Sequence, residues 1–435
     1  MRRSLVVASM SAMSAMFAIL AGCGGGGGSA GSHTGGAPGS GGASSTGGAT
    51  AAGGTTGNPG NTLAAVLDDG PQHDYFNGLF VTVTLCVPGT STCQSIDHVL
   101  VDTGSTGLRV LESVLTLPLP PVTDASGNPT GVCAQFVDGT AWGPVLAADV
   151  KLNGEVAPAI PIQAVGENAY PMPGSGTCTS GPAITDLSSL RANGLMGLGT
   201  TREDCGTACA GTTRNPGMYF SCTSNRAGGC KPAVAPVNSQ TRNPIASFPV
   251  DNNGVIIQLP SVPAGGLVST TGMLIFGIGT QANNGLGSAT VFTPVDAYDN
   301  IGTAFPVGGT KYTAFMDSGT NTLTFLDSAT SGLALCKQSG LTDFYCPAAP
   351  TPLNITVFGG NNQSAAVIVS VADPTRTAAN VAVLDSIATE MPGFPSTNSS
   401  VPDFLWGLPF FFGRSVYTAL ENVDTPGGRG PFVAF

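Results

Sequence analysis

From about Asn61 onward the chain is a succession of short apolar runs punctuated by Gly, Pro, Asn and Asp. Phe80-Val81-Thr82-Val83-Thr84-Leu85 alternates with period two, as a half-buried strand does, and the turn Val87-Pro88-Gly89-Thr90 follows. Ile96-Asp97-His98-Val99-Leu100-Val101 is the next predicted strand. Residues 136–154 predict a hairpin, then a strand from Val145 to Leu152 before the turn Asn153-Gly154. Gly194-Leu195-Met196-Gly197-Leu198-Gly199 is apolar without a helical period, and Gly in such a run marks close backbone approach. Further strands are expected over 254–259, 272–277, 404–412, 416–420 and 432–435. Residues 200–245 are polar, turn-rich and Cys-rich, and predict a disulfide-tied surface excursion. The expected fold class is all-β.

Composition agrees with this pattern. The 435 residues include 62 Gly and 33 Pro, with 9% charged residues. That mix disfavours helical bundles and suits a β protein with many turns. The length allows two or three domains. A net charge of −11 disfavours nucleic acid and anionic membrane surfaces as partners, since both need basic patches. The 3 His have no ligand-like spacing, which argues against a zinc enzyme. No metal and no cofactor is expected.

The N-terminus reads as an export signal. Met1-Arg2-Arg3 precedes an apolar stretch to Leu20, and Leu20-Ala21-Gly22-Cys23 closes it. The order resembles a bacterial lipobox, which implies a signal peptide over 1–22 and lipidation of Cys23. Gly24 after the Cys implies the outer membrane, with the chain anchored there. Residues 23–61 hold little but Gly, Ser, Ala and Thr and predict a tether, spanning on the order of 35 Å as a random coil. Two lobes are expected beyond it, 62–249 and 250–435.

Ten Cys remain after Cys23, and an even count in an exported chain reads as five disulfides. Cys86–Cys93 and Cys336–Cys346 are close enough to staple hairpins, and Cys133 can pair with Cys178. Cys205, Cys209, Cys222 and Cys230 can pair in three ways, and spacing does not choose among them.

The candidate chemistry is a tetrapeptide that occurs twice. Asp102-Thr103-Gly104-Ser105 follows Val99-Leu100-Val101, and Asp317-Ser318-Gly319-Thr320 follows Ala314-Phe315-Met316. Each is an apolar strand ending in Asp-(Thr/Ser)-Gly-(Ser/Thr). Two such loops from two related halves can bring two carboxylates face to face. A carboxylate pair sharing one proton can activate water against a peptide bond.

These residues and their flanks resemble the pepsin-like aspartic peptidases across most of 62–435. Asp102 to Thr106, with Leu108 and Val110, looks like the first catalytic loop. Ala192 to Gly199 is similar to the segment crossing behind it. Leu274-Ile275-Phe276-Gly277 resembles the strand opening the second lobe. Phe315 to Thr320 looks like the second catalytic loop. Leu405-Trp406-Gly407 with Phe410, Phe411, Arg414, Tyr417 and Thr418 resembles the closing strands. The chain also resembles a group of uncharacterised Gram-negative lipoproteins. The resemblance implies a bilobal pepsin-like fold with a central cleft, and catalytic Asp102 and Asp317. Thr103 and Ser318 would lock the loops together, Gly104 and Gly319 would permit a tight backbone, and Ser105 and Thr320 would tune the carboxylates. A peptide or protein substrate and a monomeric enzyme are expected.

Three departures follow from the same comparison. The family's flap hairpin carries a Tyr, and the matching stretch here places Phe136 at that position, with Gly139, Thr140 and Trp142 near or over the cleft; plain core packing is the other reading of Phe136 and Trp142. Arg109 stands where the family has an aromatic residue that bonds the flap Tyr. No basic pro-segment precedes the body. A second reading is therefore a non-catalytic pepsin-fold lipoprotein that binds a peptide, protein or glycan in its cleft. A third is a purely structural envelope lipoprotein. His98 is expected to carry no role, Asp97 to be a surface acid, and Phe410, Phe411 and Phe412 to lie in a buried strand.

Overall fold

The computed structural model describes residues 60–136, 139–166, 169–174, 178, 181–213, 215–223, 229–306, 308–394 and 402–435. The expected signal peptide, Cys23 and the tether through residue 59 lie outside the described residues. The described chain is all-β, as expected, and its α-helical pieces are single turns. None of its helices is long and apolar enough to cross a membrane.

The alternating segments form strands as their pattern dictates. Gly78–Cys86 and Cys93–Asp102 pair antiparallel, and the disulfide Cys86–Cys93 closes their turn. His98, with φ of 47°, lies where the register shifts between Val81 and Val83. Its imidazole packs on Phe80 beside Asp97 and Asp68, while Asp97 is exposed as expected.

Beyond Asp102 the chain turns back as the strand Thr106–Leu111. The strand Gly194–Leu198 runs between these two, parallel to Cys93–Asp102 and antiparallel to Thr106–Leu111. The second half repeats this arrangement. Phe404–Trp406 lies parallel to Thr310–Met316 and antiparallel to Leu323–Phe325. Each Asp loop is thus a strand–loop–strand unit threaded by a third strand, and Gly makes the threading possible. A Cβ on Gly197 would fall 2.7 Å from backbone atoms of Thr106, and one on Gly407 would fall 1.9 Å from the Thr322 carbonyl oxygen. The close approach read from the Gly-rich run is therefore real, and it recurs at Gly407.

The expected strand over 404–412 is corrected. Only Phe404–Trp406 is strand, and Leu408–Phe411 is a helical turn. Pro409 has no N–H to give a ladder and sits in the first turn, where none is needed. Phe410 and Phe411 are fully buried and Phe412 nearly so, as expected.

The two halves share a sheet. Thr62–Asp68 pairs with Gly78–Cys86 on one side and with Thr270–Phe276 on the other. The sheet continues through Gly254–Gln258, Ser415–Ala419 and Phe432–Ala434. At this junction buried Glu155 faces buried Asp251. The Asp251 carboxylate is held by Thr280 and Gln281. Burial and then the Asp251 charge push Glu155 up to about 7. Its folded-state pKa therefore lies above the unfolded value of about 4.3. The protonated Glu155 contributes stability that is fully present below about pH 4 and is lost as pH rises through 7. Glu155→Gln, which stays neutral, should remove that slope and stabilise the protein above pH 7 by up to about 3 kcal/mol. Urea midpoints of parent and variant between pH 5 and 8 check it, and parallel pH profiles would contradict it.

The four open Cys pair as Cys205–Cys209 and Cys222–Cys230, and the other three bridges are those expected. The excursion 200–245 is more than surface. Its strand Tyr219–Cys222 pairs with Thr130–Gln135, and Tyr219 and Phe220 are fully buried. Thr130–Gln135 in turn pairs with the strand Thr140–Leu152 to make the hairpin read as a flap.

Candidate active site

The two Asp loops meet. Thr103 Oγ1 donates to the carbonyl of Met316 (2.9 Å) and accepts from the N–H of Ser318 (3.0 Å). Ser318 Oγ donates to the carbonyl of Val101 (2.8 Å) and accepts from the N–H of Thr103 (3.1 Å). This four-bond grip is symmetric between the halves and buried. Each hydroxyl both donates and accepts across the seam, so neither loop moves without breaking bonds to the other.

The grip puts Asp102 and Asp317 opposite each other. A Cβ on Gly104 would lie 2.6 Å from the carboxyl carbon of Asp317, and one on Gly319 would lie 2.7 Å from Asp102 Oδ1. Each Gly therefore makes room for the carboxylate of the other loop, a demand no other residue meets. Each carboxylate is also held from its own loop. Asp102 Oδ1 accepts from the Gly104 N–H (2.7 Å), and Oδ2 accepts from Ser105 Oγ. Asp317 Oδ1 accepts from the N–H groups of Gly319 (2.8 Å) and Thr320 (3.2 Å). Its Oδ2 accepts from Thr320 Oγ1 at 2.6 Å.

The electrostatics follow from this packing. Asp102 is 6% exposed, and burial, then the facing Asp317, push its pKa up to about 8. The Ser105 hydroxyl opposes that shift by bonding the ionised form. Burial and the facing carboxylate therefore favour the protonated form of Asp102 near neutrality. Gly104 is exposed and Asp317 half-buried, so water reaches the pair from that side.

The supporting residues expected from the sequence, Thr103, Gly104, Ser105, Ser318, Gly319 and Thr320, all stand around the two Asp. The flap residues divide. Phe136 sits half-buried at the hairpin tip, where its N–H bonds the Gly139 carbonyl at 2.7 Å. It packs against Phe80, Leu100 and Leu195, beside the strand that ends in Asp102. Gly139 and Thr140 are buried against the strand Ala183–Ile184.

Of the two readings of Trp142, the structure takes core packing, and the ring does not cover the cleft. It is fully buried, edge-on to Phe220 at 5.4 Å, beside Cys133, Cys178 and Cys222. Its indole N–H bonds the Tyr170 carbonyl, so this amphipathic ring is satisfied inside. One aromatic residue in a hairpin reads the same to the eye whichever face it takes, and strand register decides.

Some site residues had no role assigned from the sequence. Gly407 threads the second Asp loop, and its signal was the parallel between Leu195-Met196-Gly197 and Leu405-Trp406-Gly407. Asn77 is buried and bonds across to the second loop region. Its Nδ2 donates to the carbonyls of Asn321 (2.9 Å) and Leu384 (2.8 Å), and its Oδ1 accepts from the Leu384 N–H (2.8 Å). Nothing in the local sequence marks Asn77, because its partners lie 244 and 307 residues away.

Comparison with known proteins places the chain as follows. No curated protein matches it. A solved structure it is similar to is the aspartic proteinase from Irpex lacteus, at 12% identity and a TM-score of 0.49, covering 86% of this chain and 96% of that one. The model of a family described as "Protein of unknown function (DUF3443)" matches residues 57–435, and the chain belongs to that family.

Proposed function

We propose that this protein is an aspartic endopeptidase that hydrolyses peptide bonds with the Asp102–Asp317 pair and an activated water. The observation that carries the reading is the pair itself, two carboxylates held face to face by the grip of the two loops, with burial and the facing group raising the pKa of Asp102. The ionised member takes a proton from water as it attacks the scissile carbonyl. The protonated member donates to the carbonyl oxygen, so the pair supplies base and acid in one step. The Gly104 and Ser105 donors to Asp102, and the Gly319 and Thr320 donors to Asp317, hold both carboxylates in place through the exchange. The substrate class is an extended peptide or protein segment. The enzyme is proposed to be exported and anchored by a lipid on Cys23.

One observation favours a second reading, a cleft that binds without cleaving. The flap tip carries Phe136, which has no hydroxyl to join a proton relay. A peptide-library digest with the folded full chain from pH 3 to 9 separates the two. Cleavage that stops above about pH 8, where Asp102 loses its proton, supports the peptidase. No cleavage at any pH, with peptides still bound, supports the binding protein.

A further inference from the structure

We propose that Arg109 positions the flap, gripping its tip through the face of Phe136. This rests on the reading of the hairpin 130–152 as the cover of a working cleft.

Arg109 is 3% exposed, on the strand leaving the first Asp loop. Its Nη1 donates to the carbonyls of Thr106 (2.7 Å) and Gly107 (3.2 Å), residues that directly follow that loop. Its Nη2 donates to Asp204 Oδ2 at 3.1 Å. Asp204 is itself anchored, because Tyr219 Oη donates to its Oδ1 at 2.5 Å and accepts from the Thr241 N–H at 2.7 Å. Cys205, the next residue, is bridged to Cys209. The guanidinium is therefore pinned at its edges by the catalytic strand and by the Cys-rich excursion. The guanidinium carbon lies over the face of the Phe136 ring, 5.5 Å from its centroid. A desolvated cation over an aromatic face is attracted by the ring quadrupole, and a planar cation pinned at its edges holds the ring at a fixed height.

The hairpin is built to receive this contact. A two-stranded hairpin alone is marginal. Here Tyr219–Cys222 covers one edge and Ala183–Ile184 the other. Cys133–Cys178 ties one strand of the hairpin, and Cys222–Cys230 ties its neighbour Tyr219–Cys222 to the strand Cys230–Pro232. Tyr219 belongs to both devices, since its backbone pairs with the hairpin at Val132 and its hydroxyl anchors Asp204. The excursion 200–245 thus acts as the buttress of the flap, with Arg109 as the link to the Asp102 loop. A buried ion pair alone is weak reason to keep an Arg, since apolar groups of similar volume serve stability as well. A planar cation fixed through several donors beneath the flap ring is what an apolar residue, or the flexible point charge of Lys, does not supply.

The test uses the full chain and two readouts. Phe136→Leu keeps an apolar residue of similar size and removes the ring, whereas Phe136→Tyr keeps the ring. Arg109→Lys keeps the charge and loses the planar face. Amide hydrogen exchange of residues 130–135 and 140–145 should be about tenfold faster in Phe136→Leu and Arg109→Lys, and unchanged in Phe136→Tyr, with the strand 93–102 protected throughout. Cleavage of a library peptide should lose about tenfold in kcat/KM in Phe136→Leu and Arg109→Lys. Equal flap exchange in the Leu and Tyr variants overturns the proposal, as does faster exchange with unchanged kcat/KM. If the parent cleaves nothing, the peptidase reading fails alone, and the exchange pattern still decides whether Arg109 holds the flap.

Discussion

Asp102→Asn and Asp317→Asn should each lower peptide cleavage by about a thousandfold or more while leaving the protein folded. The fold survives because the amide keeps the carboxylate shape, and its oxygen still accepts from the loop N–H groups at Gly104 or Gly319. Chemistry is lost because an amide neither takes the proton of water nor holds the shared one. Thermal unfolding should not fall in Asp102→Asn at pH 9, where the parent must keep an ionised Asp102 beside Asp317. Ser105→Ala gives a finer version of the same argument. Its hydroxyl bonds the ionised form of Asp102, so removing it raises that pKa further and moves the alkaline limb of the pH–activity profile upward from about 8. Initial rates on one library-derived peptide measure all three, with the midpoint of thermal unfolding alongside. Substantial turnover by Asp317→Asn would end the case for a dyad.

Gly407→Ala should produce the largest loss of stability of any single methyl group considered. The added Cβ would lie 1.9 Å from the Thr322 carbonyl oxygen and 2.6 Å from that of Thr320, and both are backbone atoms that no rotamer change moves aside. The strand Phe404–Trp406 must retreat from the second Asp loop. Two bonds stretch with it, Leu408 N–H to the Thr320 carbonyl at 2.8 Å and Asp317 N–H to the Trp406 carbonyl at 3.0 Å. The expected cost is about 3 kcal/mol, together with loss of cleavage because Asp317 shifts against Asp102. Gly265→Ala is the control. Its Cβ meets nothing within 4 Å, so its urea midpoint should match the parent's. A Gly407→Ala midpoint equal to that of the control would mean that the threading of the second loop is wrong.

Much of the site was legible because its signals are local. An apolar strand, an Asp at its end and a Gly two residues later describe one loop completely, and the motif occurs in both halves. Period-two alternation marked the strands on which the loops stand. The bridges with short spacing, Cys86–Cys93 and Cys336–Cys346, were legible for the same reason. What local sequence does not carry is which side of a strand meets which neighbour. Leu408–Phe411 turned out helical because Gly407 and Pro409 favour a helix start over a ladder, while the run of Phe reads as strand by composition. Trp142 went inside because its position in the hairpin faces Phe220, a residue from a segment that had read as surface.

By itself the sequence determined an all-β chain, two Asp loops with their hydroxyl and Gly companions, and a Cys-rich excursion. These follow from residue type and near spacing, where steric and hydrogen-bonding demands act within a few residues. Only the tertiary structure decided that Thr103 and Ser318 grip across 215 residues, that Cys205 takes Cys209 as its partner, and that Arg109 joins Asp204 to the flap ring. The physical reason differs by contact: the Thr103–Ser318 grip joins the two halves and exists only once they have closed on one another, the Arg109 contacts join segments brought together by folding, and Cys205 lies near three possible partners, so spacing alone does not choose among them.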